Sequence, residues 1–172
     1  KAVAVLGAGT IGLLVLSVLR AHGARRVVVT DVLPAKRERA LRLGADIAVD
    51  AGADDAVAQV RSALGESADI VFDCVAAQST VSQAVAMASK GGTVVVVGVP
   101  TGDVSVTLPI VQDHQVRIQG SATYLPEDYA ESISLLQRGA IPVGDIVTTV
   151  LPMESVAEAF AHDLGVDAVG DE

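Results

Sequence analysis

Residues 7 to 12 read Gly7-Ala8-Gly9-Thr10-Ile11-Gly12, and no other stretch restricts the fold as tightly. An apolar run, Ala2–Leu6, leads into it. A run of helical spacing, Ile11–Ala21, leads out of it, with Leu14, Val15 and Val18 on one face. A strand that becomes a helix over so few residues needs a backbone bare of side chains at set places. Gly7 permits the tight turn, Gly9 leaves the backbone open to a ligand, and Gly12 lets the helix lie close to the strand. The first N–H groups of such a helix, those of Thr10 and Ile11, have no intrahelical acceptor and sit at the positive end of the helix dipole, so they suit a phosphate. The glycines alone would also fit an unliganded turn. Asp31, nineteen residues beyond Gly12 at the end of the β-branched run Val27–Thr30, makes the pattern a dinucleotide fingerprint.

Strand and helix signals alternate through the rest of the chain. Pro34 suits the first turn of a helix to Leu43, stopped by Gly44. The pattern then predicts a strand at Asp46–Val49, a helix at Asp54–Leu64 capped near Asp54, a strand at Ile70–Cys74, a helix at Ser79–Ser89 and a strand at Thr93–Val97. Val104–Leu108 alternates as a half-exposed strand would, and Val116–Gln119 and Ile146–Val150 read as further strands. Glu127–Arg138 and Glu154–His162 read as helices. A βαβαβ unit followed by a second βαβ implies an α/β fold, a doubly wound parallel sheet with right-handed crossovers, in strand order 3-2-1-4-5-6.

Composition agrees with buried parallel strands: 51% of the chain is apolar but only 2% aromatic, so Val, Ala, Leu and Ile must build the core. The 172 residues suffice for one domain and not for two full ones. A formal charge of −9 repels phosphate backbones, which argues against nucleic acid as a partner. An anionic cofactor must therefore be held by local backbone donors. The single Cys74 excludes an internal disulfide and a multi-cysteine zinc site, and fits a cytoplasmic setting. Ala2 to Leu19 carries no charge, but Gly7, Gly9 and Gly12 interrupt it where a strand turns into a helix, so no membrane span is expected.

Asp31 is placed to accept hydrogen bonds from both hydroxyls of an adenosine ribose, and a 2′-phosphate would meet it as a like charge, so NAD is favoured over NADP. An ordinary turn aspartate at a strand end is the plainer alternative. Lys36 and Arg37 follow one turn later and could line the adenosine site; Arg37 and Arg39 are assigned to the solvated helix face.

At this point the residues become specific. The runs VAVLGAGTIGLL, VVVTDVLPAKRERALRLGAD and VFDCVAAQSTVSQAVAMASKGGTVVVVGVP resemble the NAD-binding Rossmann domain of the zinc-type (medium-chain) alcohol dehydrogenase superfamily. Its sorbitol, butanediol and threonine dehydrogenase branches look nearest, and the likeness runs from about Lys1 to Leu164. The resemblance implies that Thr10 and Ile11 contact the pyrophosphate and that Asp31 and Lys36 serve the ribose. It implies that Cys74 and Val75 bracket the adenine, that Val97, Gly98 and Val99 lie under the nicotinamide, and that Ser121 and Thr123 hold its carboxamide. Cys74 reads equally well as a small buried strand residue.

In the family so resembled, the zinc ligands, substrate pocket and proton relay lie mostly on a GroES-like domain that precedes this one. The chain opens on the first Rossmann strand, so that catalytic domain is expected to be absent. Residues 1–164 are then the dinucleotide-binding domain, and GVDAVGDE, residues 165–172, a frayed tail. His22, His114 and His162 lack ligand spacing and are expected at surfaces or helix ends. The expectation is a chain with neither catalytic nor metal-binding residues of its own, which binds NAD(H) but oxidises no alcohol alone. Zinc is expected only on the missing domain. The whole enzyme would transfer hydride between a small alcohol or polyol and NAD. Pairing of Val104–Leu108 across a two-fold axis would give a homodimer.

Four other classes share parts of this pattern. A short-chain dehydrogenase needs a Tyr-x-x-x-Lys pair, and Tyr124 and Tyr129 are followed four residues on by Asp128 and Ile133. A methyltransferase would carry an acid two residues before its first glycine, where Val5 stands. A zinc-free quinone or enoyl reductase using NADPH, and a non-enzymatic NAD-sensing module, remain open.

Overall fold

The computed structural model describes residues 1–164, with side chains described as far as residue 160. The tail expected at 165–172 and the His162 side chain lie outside the described residues. The chain divides into two units, Lys1–Pro142 and a second that begins at Val143.

In the first unit strands and helices alternate: β1 (Ala2–Leu6), α1 (Thr10–Ala21), β2 (Arg26–Asp31), α2 (Pro34–Arg42), β3 (Ile47–Asp50), α3 (Ala56–Leu64), β4 (Ala68–Asp73), α4 (Gln78–Met87), β5 (Ala88–Val96), α5 (Leu108–Asp113), β6 (Arg117–Gly120) and α6 (Pro126–Gln137). All six strands are parallel, in the order β3-β2-β1-β4-β5-β6, as the sequence predicts. The second unit holds α7 (Val143–Ile146), a 3-10 turn (Met153–Ser155) and α8 (Val156–Leu164). No helix among the described residues is long and apolar enough to cross a membrane.

The centre of the sheet is buried on both faces because its strands alternate their side chains between two helix layers, whereas β6 at the edge is exposed along its length. Ala2, Ala4 and Leu6 of β1 join one apolar cluster with Val60 and Leu64 of α3 and Ala84, Val85 and Met87 of α4. Val5 points the other way, toward α1, where Gly12 lies against it. With so few aromatics, close packing of small side chains replaces bulk, and the approach of α1 to β1 is the tightest case. A Cβ on Gly12 would lie 1.8 Å from the Gly7 carbonyl oxygen.

Several boundaries differ from the sequence reading. The helix expected at Ser79–Ser89 ends at Met87, because Ala88 is already extended and pairs with Ala68, and Ile70 then pairs with Thr93. The cap of α3 is Asp55, not Asp54, although the Asp55 carboxylate bonds the Gln59 amide rather than a backbone N–H. Val104–Leu108 is not a strand within the chain. Leu108 opens α5 with Pro109 in its first turn, and the backbone before it has no ladder partner. Instead Gln78 bonds Ser105 twice: the Ser105 N–H donates to Oε1 at 2.8 Å, and Nε2 donates to the Ser105 carbonyl at 2.9 Å. Ile146–Val150 is not a strand either; Ile146 closes α7 and the following residues are irregular.

Candidate cofactor site

The carboxyl ends of β1, β2, β4, β5 and β6 open on one rim of the sheet. The strand order reverses between β1 and β4, so the loops after these two strands diverge and leave a crevice there. The glycine turn occupies this switch point. Gly7 takes φ +91°, a conformation suited to glycine, and its N–H donates to the Thr30 carbonyl at 2.8 Å, tying the end of β1 to β2. Gly9 caps α1, and its carbonyl accepts the Leu13 N–H at 2.9 Å, closing the first helical turn. The N–H groups of Thr10 and Ile11 therefore precede the helix's own hydrogen bonds, and both residues lie at the surface, Ile11 at 49% exposure. A Cβ built on Gly9 meets no atom within 4 Å, so the space that its missing side chain leaves is open to a ligand.

Asp31 ends β2 nearly buried, at 8% exposure. Its Oδ2 accepts the Ala8 N–H at 2.8 Å and its Oδ1 accepts the Leu33 N–H at 2.9 Å. Each carboxylate oxygen keeps further lone-pair capacity. Asp31 is thus both a structural acceptor that fastens the glycine turn and an acceptor still open to a ligand hydroxyl. With Gly7, Val32, Val75 and Thr80 it lines a cavity of about 170 Å³. Lys36 stands half-buried on α2.

Arg37 is not the solvated helix residue expected. Its guanidinium donates to the Asp31 and Val32 carbonyls, each at 2.9 Å, and pairs with Asp50 at 3.3 Å. It is a clamp on the loop after β2. Five donors in a fixed fork let one arginine satisfy two carbonyls and a carboxylate together.

A second cavity, of about 700 Å³, lies where β5 and β6 end, and Val97, Gly98, Val99, Ser121 and Thr123 all line it. The structure thus gathers in one place the five residues singled out for the nicotinamide end. The Ser121 N–H donates to the Val96 carbonyl at 2.9 Å, extending the β5–β6 ladder. Thr123 adopts φ +58°, costly for a β-branched residue. Cys74 is half-buried, its N–H bonded to the Leu6 carbonyl at 2.9 Å. Burial, and then the negative charge of Asp73, push its thiol up to about 12, so it behaves as a packing residue rather than a nucleophile or metal ligand. Val75 beside it is 44% exposed to the first cavity.

Sequence reasoning missed Asp73. It ends β4 fully buried and holds the loop that follows. The signal was present: β2, β3 and β4 each end in aspartate, and in each the carboxylate accepts the N–H two residues on. Asp31 takes that of Leu33 at 2.9 Å, Asp50 that of Gly52 at 2.9 Å and Asp73 that of Val75 at 3.0 Å.

Among the described residues no group of three or more His, Cys, Asp or Glu could hold a metal ion. His22 bonds the Val18 carbonyl at the end of α1, and His114 lies 3.6 Å from its exposed neighbour Asp113. The described residues therefore do not fit a catalytic zinc.

A family model for zinc-binding dehydrogenases matches residues 10–138. The chain belongs to that family. The mouse sorbitol dehydrogenase is 34% identical over 163 residues, which are 92% of this chain and 45% of that protein. L-galactonate-5-dehydrogenase of Escherichia coli is 35% identical, over 94% of this chain and 48% of its own length. Among solved structures, 2R,3R-butanediol dehydrogenase of Bacillus subtilis superposes with a TM-score of 0.87 at 25% identity, over 95% of this chain and 47% of that one. The chain thus spans about half the length of the relatives it matches, and the part it spans is the family's NAD-binding Rossmann domain.

Proposed function

We propose that this chain is the NAD(H)-binding half of a zinc-dependent alcohol or polyol dehydrogenase. The observation that carries the reading is the junction of Gly9, the start of α1 and Asp31: an open backbone, two unused N–H donors and a carboxylate with spare acceptor capacity around one crevice. Thr10 and Ile11 would hold the pyrophosphate, with Gly7, Gly9 and Gly12 shaping the turn. Asp31 and Lys36 would hold the adenosine ribose, Cys74 and Val75 the adenine, and Val97, Gly98, Val99, Ser121 and Thr123 the nicotinamide. NAD, when bound, supplies the hydride acceptor. This chain's residues bind and orient it, keep water from its nicotinamide face and leave polarisation of the alcohol to groups outside the described residues. A cytoplasmic setting belongs to the same reading. The likeness to a sorbitol dehydrogenase and a butanediol dehydrogenase supports the alcohol or polyol part of the reading.

A homodimer completes the proposal. Gln78 already satisfies both backbone groups of Ser105. In an extended segment successive backbone groups point to opposite sides. Those of Val104 and Val106 would then face outward, ready to pair with the same residues of a second copy.

The deciding experiment is calorimetric titration of NADH and NADPH into the chain. Lost ribose hydrogen bonds and carboxylate–phosphate repulsion act together and should favour NADH by about 2–4 kcal/mol, or roughly thirty- to several-hundred-fold. Equal affinity would reduce Asp31 to a turn residue and favour a zinc-free NADPH reductase instead.

A further inference from the structure

Asp73 lies at the meeting point of the two cavities and joins them through both its side chain and its main chain. It is 0% exposed. Its Oδ1 accepts the Val75 N–H at 3.0 Å and the Ala76 N–H at 2.9 Å, and its Oδ2 accepts the Thr80 hydroxyl at 3.0 Å. Val75 and Thr80 line the cavity beside Asp31. The Asp73 carbonyl meanwhile accepts the Val97 N–H at 2.8 Å and the Gly98 N–H at 2.9 Å, and these two residues line the other cavity. The two loops also touch directly. A Cβ on Gly98 would lie 2.6 Å from the Val75 carbonyl carbon and 2.9 Å from the Ala76 nitrogen. Ala76 sits at φ +58°, a left-handed conformation that a residue with a Cβ adopts only when its surroundings impose it. The Asp73 carboxylate imposes it from both sides: it accepts the Ala76 N–H directly, and the Thr80 hydroxyl that donates to it accepts the Ala77 N–H at 3.0 Å.

We infer that Asp73 is a positioning residue that sets the distance between the adenine wall and the nicotinamide floor, so that both halves of one dinucleotide are gripped together. The inference rests on the cofactor reading above and adds a residue that touches no cofactor itself. The carboxylate fixes Val75 from below. The carbonyl of the same residue fixes Gly98, and the seat of Gly98 on the Val75–Ala76 backbone transmits any shift in one loop to the other. Asparagine could reproduce this arrangement. Its amide oxygen would accept the two N–H groups. Its amide nitrogen would donate to the Thr80 hydroxyl, which would turn its own proton to the Ala77 carbonyl, 3.1 Å away. Alanine could not, and would leave two donors without an acceptor.

The test compares Asp73→Ala, Asp73→Asn and Thr80→Val with the unmutated chain. It measures the affinity for NADH, the affinity for AMP, and the change in nicotinamide fluorescence on binding. Asp73→Ala should weaken NADH by about tenfold or more, because buried donors are orphaned, while AMP, which needs only one cavity, weakens by roughly threefold or less. The fluorescence change should shrink with it, and Asp73→Asn should restore all three readouts. Equal loss of NADH and AMP in a folded Asp73→Ala chain would overturn the inference, since that is what a purely structural role produces. Failure of Asp73→Asn to restore binding would overturn it too, in favour of charge. If Asp73→Ala does not fold, Thr80→Val decides: the inference requires NADH to weaken more than AMP, and equal loss of the two, or binding identical to the unmutated chain, refutes it. An unmutated chain that binds neither ligand would overturn the cofactor reading, and this inference with it.

Discussion

Replacing Gly9 by valine separates the binding role of the glycine turn from its folding role. Gly9 sits at φ −74° and ψ −172°, an extended conformation that valine adopts readily, and the new Cβ meets nothing within 4 Å. A stiffer unfolded chain contributes about 0.4–1 kcal/mol in favour of the variant. The loss of a tolerable helix cap costs about as much, 0.5–1 kcal/mol. Stability should therefore change by less than about 1 kcal/mol, a melting shift of no more than roughly 2–4 °C for a chain of this size. Binding should collapse, because the added carbons fill the space that the pyrophosphate needs. Losing two charge-assisted hydrogen bonds from Thr10 and Ile11 removes about 3–6 kcal/mol, which is roughly a hundred- to ten-thousandfold in affinity. Gly12→Ala is the contrasting variant. Its Cβ would lie 1.8 Å from the Gly7 carbonyl oxygen, so α1 must shift off the sheet and the fold should lose about 3 kcal/mol, the upper end of the usual cost of overpacking. Thermal melting by circular dichroism and titration with NADH read both effects. A Gly9→Val chain that binds NADH as tightly as the unmutated one places the phosphate site elsewhere, and one that fails to fold refutes the open-space argument.

Other perturbations test neighbouring parts. At pH 8 the Cys74 thiol should alkylate about a thousandfold more slowly in the folded chain than in the urea-unfolded one, the three-unit gap between the ordinary 9.0 and about 12; equal rates would contradict its burial. The same gap predicts a stability contribution that is intact below pH 9 and is lost as pH rises through about 12, because the folded chain keeps a proton that the unfolded chain releases. Val106→Pro removes a donor from the proposed intersubunit pairing without touching the Gln78–Ser105 bonds, so it should lower dimer affinity by roughly tenfold or more, read by sedimentation equilibrium. A dimer of unchanged strength would rule that edge out.

The sheet was legible because its information is local and repeated. The central strands are short apolar runs, the long helices have their period, and the glycine turn fixes where the first becomes the second. The strand order followed from the rule that such units wind right-handed from a central start. What escaped depended on partners distant in sequence. Val104–Leu108 alternates as a strand should, yet Ser105 at its centre is held by a side chain from α4, 27 residues away, instead of by a neighbouring strand. Ser89 has ordinary helix-end composition, but Ala88 is drawn into β5 by Ala68. Arg37 looks like any helix-surface arginine until the fold brings the ends of β2 and β3 beneath it. Asp73 repeats a pattern visible at Asp31, but its reach to Gly98 exists only after β4 and β5 pair.

The double duty of Asp31 bears on any attempt to redesign the coenzyme preference of this domain. The carboxylate that would choose between ribose hydroxyls and a 2′-phosphate is also the acceptor for the buried Ala8 N–H, the peptide that positions the glycine turn. A glycine there, introduced to admit the phosphate, strips the turn of its anchor in the same stroke, and loss of binding to both coenzymes could then be mistaken for a failed specificity switch. Nor is Arg37 a ready-made phosphate ligand, since its fork is committed to Asp50 and two carbonyls. A library built at this rim should keep an oxygen acceptor at position 31 and introduce positive charge from Lys36 or from the exposed side chains beside it, varying the two positions jointly rather than in turn.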